Sequence, residues 1–166
     1  MIRVAIVEDD LSCVQQLREY LSRYQKSSGE DIEVAVYPDG MAVVEQYRPV
    51  FDVLLLDIEM PRLDGMAAAR EIRRTDPEVI MIFITNMARY AIKGYEVNAL
   101  DFVLKPINYF AFSLKMDKVA SILRSRRQEC LVVSTEDGLV RLSTGEILYI
   151  EVISHRLHIH TLGRRM

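Results

Sequence analysis

Val53-Leu54-Leu55-Leu56-Asp57-Ile58-Glu59-Met60-Pro61, with Asp64-Gly65 just beyond, is the stretch whose reading decides the fold. Four consecutive apolar residues read as a strand buried on both faces, the pattern of a parallel sheet covered by helices. Asp57 then stands at the C-terminal end of that strand, where open α/β sheets form their ligand crevice. Working outward, three other chemically loaded positions end comparable runs: Glu8-Asp9-Asp10, Thr85 and Lys105-Pro106. Acids, a hydroxyl and a lysine gathered at the ends of parallel strands make a site that accepts a phosphoryl group.

From residue 1 to about residue 126, strand-like and helix-like runs alternate. The strands are expected at Ile2–Val7, Glu33–Tyr37, Asp52–Asp57, Val79–Thr85 and Phe102–Leu104. Between them the spacing predicts helices over Leu11–Tyr24, Met41–Tyr47, Gly65–Arg74 and Met87–Tyr95, with a last one over Ile107–Arg126. Leu11, Val14, Leu17 and Leu21 form the expected inner stripe of the first helix, and Met66, Ala69 and Ile72 that of the third. Phe110, Leu114, Val119 and Leu123 are assigned to the inner side of the last. Parallel strands need crossover connections of this length, and right-handed crossovers bring the strand C-termini to one edge. The expected fold is therefore α/β, a five-stranded parallel sheet with helices on both faces.

Composition sets broad limits. The chain has 166 residues, half of them apolar and 27% charged, with a formal net charge of -3, which by itself points to neither nucleic acid nor membrane. No apolar run approaches the ~20 residues of a membrane span, and the opening MIRVAIVEDD lacks a signal-peptide layout. Cys13 and Cys130 are too few for a disulfide framework and read as small hydrophobic residues of a reducing cytoplasm.

An aspartate accepts a phosphoryl group only when the repulsion between the two negative charges is offset, a task for a divalent ion. Mg²⁺ takes hard oxygen ligands and needs only one or two carboxylates beside water and phosphate. Asp9 and Asp57 are the expected direct ligands, Glu8 acts through water, and the backbone carbonyl of Glu59 adds a further oxygen. Lys105 pairs with one phosphoryl oxygen and the Thr85 hydroxyl donates to another. Asp10, just ahead of Leu11, is read instead as a helix N-cap.

The order Glu8-Asp9-Asp10, Asp57 with Met60-Pro61 and Asp64-Gly65, Thr85, and Lys105-Pro106 resembles the receiver domain of two-component response regulators, over residues 1 to about 125. The resemblance implies a flavodoxin-like fold and a phosphoryl group received on Asp57 from a sensor histidine kinase, with Mg²⁺. It also implies a cis Lys105-Pro106 bond and a switch in which Thr85 moves inward and Phe102 rotates into the space behind it. Glu8 stands where the family commonly has aspartate. A homodimer through the fourth helix, fifth strand and fifth helix is a further implication.

Arg124-Ser125-Arg126-Arg127-Gln128-Glu129 is a polar, basic stretch where apolar periodicity stops, so a linker is expected at 126–129. Beyond it, strand-like runs at Cys130–Ser134, Leu139–Ser143, Ile147–Ile153 and Leu157–Leu162 have turn signals and no helix between them. Gly145–Glu151 and Ser154-His155-Arg156-Leu157 resemble the opening strands of a LytTR domain, which is all-β and reads DNA through loops. The resemblance implies a base contact for His155 and a phosphate contact for Arg156. Residues 130–166 cover only the first part of such a domain, so apolar faces and a sheet edge are expected to stay uncovered. Weak or absent sequence-specific DNA binding follows, whether the chain is a shortened form, an interrupted gene product or a dimer. His158 and His160 share one strand face, but no cysteine or carboxylate completes a recognisable zinc set with them.

Two other functions compete with a transcriptional switch. A receiver without working output acts by dimerising or by sequestering a kinase. A haloacid-dehalogenase-type phosphatase matches Asp57-Ile58-Glu59 loosely, but that family puts its nucleophile on an earlier strand and has a second aspartate where this chain has Glu59.

Overall fold

The computed structural model describes residues 1–86, 96–128, 130–135, 138–154 and 156–161. Nine strands, four α-helices and a short 3₁₀ turn are formed among them. The first unit holds β1 (Ile2–Val7), α1 (Leu11–Ser28), β2 (Ile32–Tyr37), α2 (Gly40–Gln46), β3 (Val53–Leu56), α3 (Gly65–Thr75), β4 (Ile80–Thr85) and β5 (Asp101–Leu104). It also holds the first half of α4 (Tyr109–Gln128), since the chain divides into two units between Val119 and Ala120. The helix expected over 87–95 lies outside the described residues.

Five parallel strands pair in the order β2-β1-β3-β4-β5, a flavodoxin-like receiver sheet as expected. Every residue of β3 and β4 is buried, and all but Arg3 of β1, because helices cover both sides. Ala5, Val7, Leu54, Leu56, Met81 and Phe83 face Val43 of α2 and Met66, Ala69 and Ile72 of α3 in one core. On the other side α1 meets the start of α4, where Tyr20 packs on Tyr109 and Phe112 and the Tyr24 hydroxyl donates to Asp117 Oδ1 at 2.8 Å. Each Leu or Ile buried in these cores contributes about 1.5–3 kcal/mol.

Two helical stripes differ from the sequence expectation. The buried residues of α1 are Cys13, Val14, Leu17, Leu21 and Tyr24, whereas Leu11 is 82% exposed. At 100° per residue Leu11 falls roughly 110° from the middle of that stripe, directly after its cap. In α4 the buried set is Phe112, Met116, Val119, Ala120 and Leu123. Phe110 and Leu114 are exposed on the opposite side, because five residues separate Leu114 from Val119 and a five-residue step turns the helix well past one face.

The helix continues to Gln128, so residues 126–128, expected as linker, are helical. Two antiparallel hairpins follow: β6 (Cys130–Thr135) with β7 (Gly138–Ser143), and β8 (Ile147–Ile153) with β9 (Arg156–Thr161). Each forms a two-stranded sheet of its own among the described residues, and Leu139, Leu148, Ile150, Val152 and Leu157 are exposed.

Candidate functional site

The parallel register carries chemistry to one rim. Val7 is level with Tyr37 and Leu56, Leu56 with Phe83, and Thr85 with Leu104. The ladder extends past the strand ends: Asp57 N donates to Val7 O at 2.9 Å, Glu8 N to Tyr37 O at 3.1 Å, and Lys105 N to Thr85 O at 3.1 Å. These bonds fix the backbones from which Glu8, Asp57 and Lys105 project. The Lys105-Pro106 bond is cis, as the resemblance implied.

Asp57 is buried, and its two oxygens have different partners. Oδ1 accepts from Ile58 N at 2.6 Å and from Glu59 N at 3.3 Å; Oδ2 accepts from Lys105 Nζ at 2.7 Å. The same ammonium donates to Glu8 Oε2 at 2.7 Å, and Glu8 Oε1 accepts from Asp10 N at 3.2 Å. Burial alone lowers the Lys105 pKa, but the carboxylates of Asp57 and Glu8 more than reverse this and hold it above the ordinary lysine value. Lys105 is therefore a fixed cation between two buried acids.

Asp9, exposed beside them, completes a set: ligand oxygens of Glu8, Asp9 and Asp57 all lie within 4.8 Å of one another. Three hard carboxylates at one rim, open to water through Asp9, are a donor set that fits Mg²⁺. Thr85 is fully buried at the end of β4, between the strands that lead to Asp57 and Lys105. Phe102 is partly buried and stacks on Phe83, with ring centres 5.0 Å apart and planes 23° apart. Asp10 is the N-cap of α1, its carboxylate accepting from Ser12 N at 2.8 Å. Glu59 meets Asp57 through its amide while its side chain is exposed, which does not suit the acid of a dehalogenase-type site.

Sequence reading named Gly65 only as part of a motif, and missed the steric need for glycine and the loop contacts around Asp57. A β-carbon on Gly65 would run into the Asp57 carbonyl, and one on Gly40 into the Leu63 carbonyl, so both positions exclude larger residues. Arg62 bonds the buried Asp39 carboxylate, which also caps α2 by accepting from Ala42 N at 2.9 Å. Arg73 ties down the approach to β4 by donating to the carbonyls of Asp76, Pro77, Val79 and Val97. The glycine after an Asp was the one available signal; the arginine pairings left none.

In the tail, His155 lies outside the described residues, and Arg156 is exposed at the start of β9, opposite Ile153. Glu151, which sequence reading did not pair with the histidines, bonds His160 Nε2 at 2.7 Å, and Tyr149 stacks on the same imidazole. No described helix is long and apolar enough to cross a membrane.

The strand order and the carboxylate–lysine rim define a receiver-type α/β domain. Residues 4–112 match the response regulator receiver domain, and the chain belongs to that family. It is 35% identical over 133 residues to the transcriptional regulatory protein BtsR of Escherichia coli K12, an alignment covering 78% of this chain and 51% of BtsR. The sensory transduction protein LytT of Oceanobacillus iheyensis is 26% identical over 178 residues, covering 99% of this chain and 69% of LytT. Among solved structures, the response regulator TrrA of Thermotoga maritima, in complex with Mg(2+)-BeF, is similar at 25% identity with a TM-score of 0.61. That likeness covers 72% of this chain and 99% of TrrA. The chain spans about half the length of BtsR.

Proposed function

We propose that this chain is the phosphoryl-accepting part of a two-component response regulator, with Asp57 as acceptor and a LytTR-type transcriptional output. The observation that carries the reading is the Lys105 ammonium held 2.7 Å from both Asp57 and Glu8, with Asp9 beside them. An Asp57 carboxylate oxygen attacks the phosphorus of a phosphohistidine on a sensor kinase. The P–N bond breaks, a P–O bond forms, and the imidazole leaves with the electron pair and takes a proton from water. Lys105 moves from the carboxylate to a phosphoryl oxygen, and the Thr85 hydroxyl donates to another. Glu8, Asp9, Asp57 and the Glu59 carbonyl are the oxygens that would hold Mg²⁺, which when bound offsets the charge of acceptor and phosphoryl group.

The switch follows from added charge at a buried rim. Thr85 is drawn towards the phosphoryl group, and Phe102, which stacks on Phe83 two residues before Thr85 in β4, turns into the space it leaves. The reporting surface includes β5 and the start of α4, where Leu104, Phe110 and Leu114 are exposed by 51%, 71% and 51%. Exposed apolar side chains of this size suit a homodimer contact. DNA contact through His155 and Arg156, and a cytoplasmic location, belong to the same reading. The hairpins and the likeness to proteins named as regulators support the DNA contact, and the receiver-family match supports the location.

Intact mass after incubation with Mg²⁺ and acetyl phosphate tests the acceptor. One phosphoryl adduct is expected in the wild type and none in Asp57→Asn; equal labelling of both removes the assignment. For output, selective DNA retention is expected of a chain extended by a complete LytTR domain and not of these 166 residues alone. Equal retention by both would remove that part of the reading.

A further inference from the structure

Seven residues, Ile58 to Asp64, lead from the acceptor to α3, and both ends of this loop are tied to the site. Ile58 N and Glu59 N donate to the Asp57 carboxylate, and Gly65 N returns to Ile58 O at 3.0 Å. Met60 and Leu63 press on the core, and the Leu63 carbonyl sits against Gly40. Arg62 stands apart. Its backbone is left-handed, φ 63°, a conformation unfavourable for any residue with a β-carbon. Its guanidinium reaches from the loop to Asp39 at the start of α2, Nε donating to Oδ2 at 2.8 Å and Nη2 to the same oxygen. Asp39 is only 4% exposed in its side chain and is anchored through its other oxygen to Ala42 N.

We propose that the Arg62–Asp39 pair positions the acceptor loop, setting where Glu59 stands beside Asp57. The inference rests on the reading of Asp57 as phosphoryl acceptor. A buried carboxylate fixed to a helix end is a rigid anchor, and the arginine that grips it holds an otherwise unfavourable backbone turn in place. Only Met60 and Pro61 separate Glu59 from Arg62. The proline ring locks one of the intervening torsions, so a shift at Arg62 passes to Glu59 rather than being absorbed. Glu59 contributes its amide to Asp57 Oδ1, and its carbonyl is the proposed fourth metal oxygen. Arg62 touches no reacting atom; it acts through the loop.

Two substitutions separate positioning from mere stability. Arg62→Gly removes the ion pair but suits a left-handed backbone, and Asp39→Asn keeps an α2 cap of equal quality while removing the charge. In the full chain both are expected to melt a few degrees below the wild type, since Asp39 loses its cation or its charge, while staying fully folded at the temperature of the labelling assay. Both should require at least about threefold more Mg²⁺ for half-maximal labelling by acetyl phosphate, with a smaller change in the maximal rate. The rise in melting temperature produced by Mg²⁺ alone should shrink in parallel, and the double variant should be no worse than the poorer single one. Arg62→Lys, which keeps the charge, should recover part of the Mg²⁺ response. Wild-type Mg²⁺ dependence in both single variants overturns the positioning role while leaving the acceptor intact. Absence of any Asp57-dependent adduct in the wild type overturns the acceptor reading and the positioning role with it.

Discussion

Lys105 Nζ stands 2.7 Å from Asp57 Oδ2, although the strands that lead to these residues are not neighbours: β4 lies between them. The lysine therefore reaches across the end of β4, above Thr85, and links the edge of the sheet to its centre. Among the described residues, the charge balance of the rim depends on this one side chain.

Replacing Lys105 by Met leaves Glu8 and Asp57 buried without their shared cation. Removing one partner of a buried pair is strongly destabilising, and here the side chain is 15% exposed, so part of the loss is screened. The expected cost is about 2 kcal/mol, read as a lower denaturant midpoint at pH 7, together with loss of labelling by acetyl phosphate.

Asp9 adds a third negative charge next to two others. Without Mg²⁺, Asp9→Asn should leave stability unchanged or raise it by about 0.5 kcal/mol through reduced repulsion. With Mg²⁺ at ten times its dissociation constant, the wild type should gain about 1.4 kcal/mol and the variant far less. Thermal melts with and without Mg²⁺ read both effects.

Gly65 and Gly29 should respond differently to alanine. At Gly65 the new β-carbon meets the Asp57 carbonyl, so Asp57 itself must shift; a loss of about 2–4 kcal/mol and slowed labelling are expected. At Gly29 nothing lies within 4 Å, and only the left-handed φ of 74° opposes the change, for about 1 kcal/mol and normal labelling. Equal kinetic effects at the two sites would contradict the placement of Gly65 against Asp57.

Burial opposes ionisation of Asp39, but the Ala42 amide and the Arg62 guanidinium outweigh it and hold its carboxyl below the ordinary value of 3.8. In this range the unfolded chain binds the extra proton, so the contribution to stability is present above pH 3.8 and is lost as pH falls through the folded value. Acid titration of the denaturant midpoint should therefore fall less steeply below that pH for Asp39→Asn than for the wild type.

The strands and the rim acids were legible because the signals are local. A four-residue apolar run ending in Asp57 has one sensible reading, and parallel register then carries Glu8 and Lys105 to the same edge. Helix faces were less legible where the apolar pattern was broken: Leu114 and Val119 are both hydrophobic, yet five residues apart they cannot share a side. The Arg62–Asp39 pair was invisible because it joins a loop to a helix cap across 23 residues, and surface arginines and capping aspartates are common. The need for glycine at 65 arises from a carbonyl eight residues earlier, a proximity that only the folded backbone creates.

Glu8 and Lys105 are 97 positions apart, and this separation has a consequence for biosynthesis. At about 5–20 residues per second, roughly 5–20 s pass between the emergence of the acid and that of its cation. During that interval the nascent chain holds a cluster of negative charge without the Lys105 ammonium, so the Glu8–Lys105–Asp57 bridge closes only when the last strand of the sheet is delivered. A ribosome stalled before residue 105 would present a sheet whose central acids repel one another, a species distinguishable from the finished domain by its sensitivity to protease.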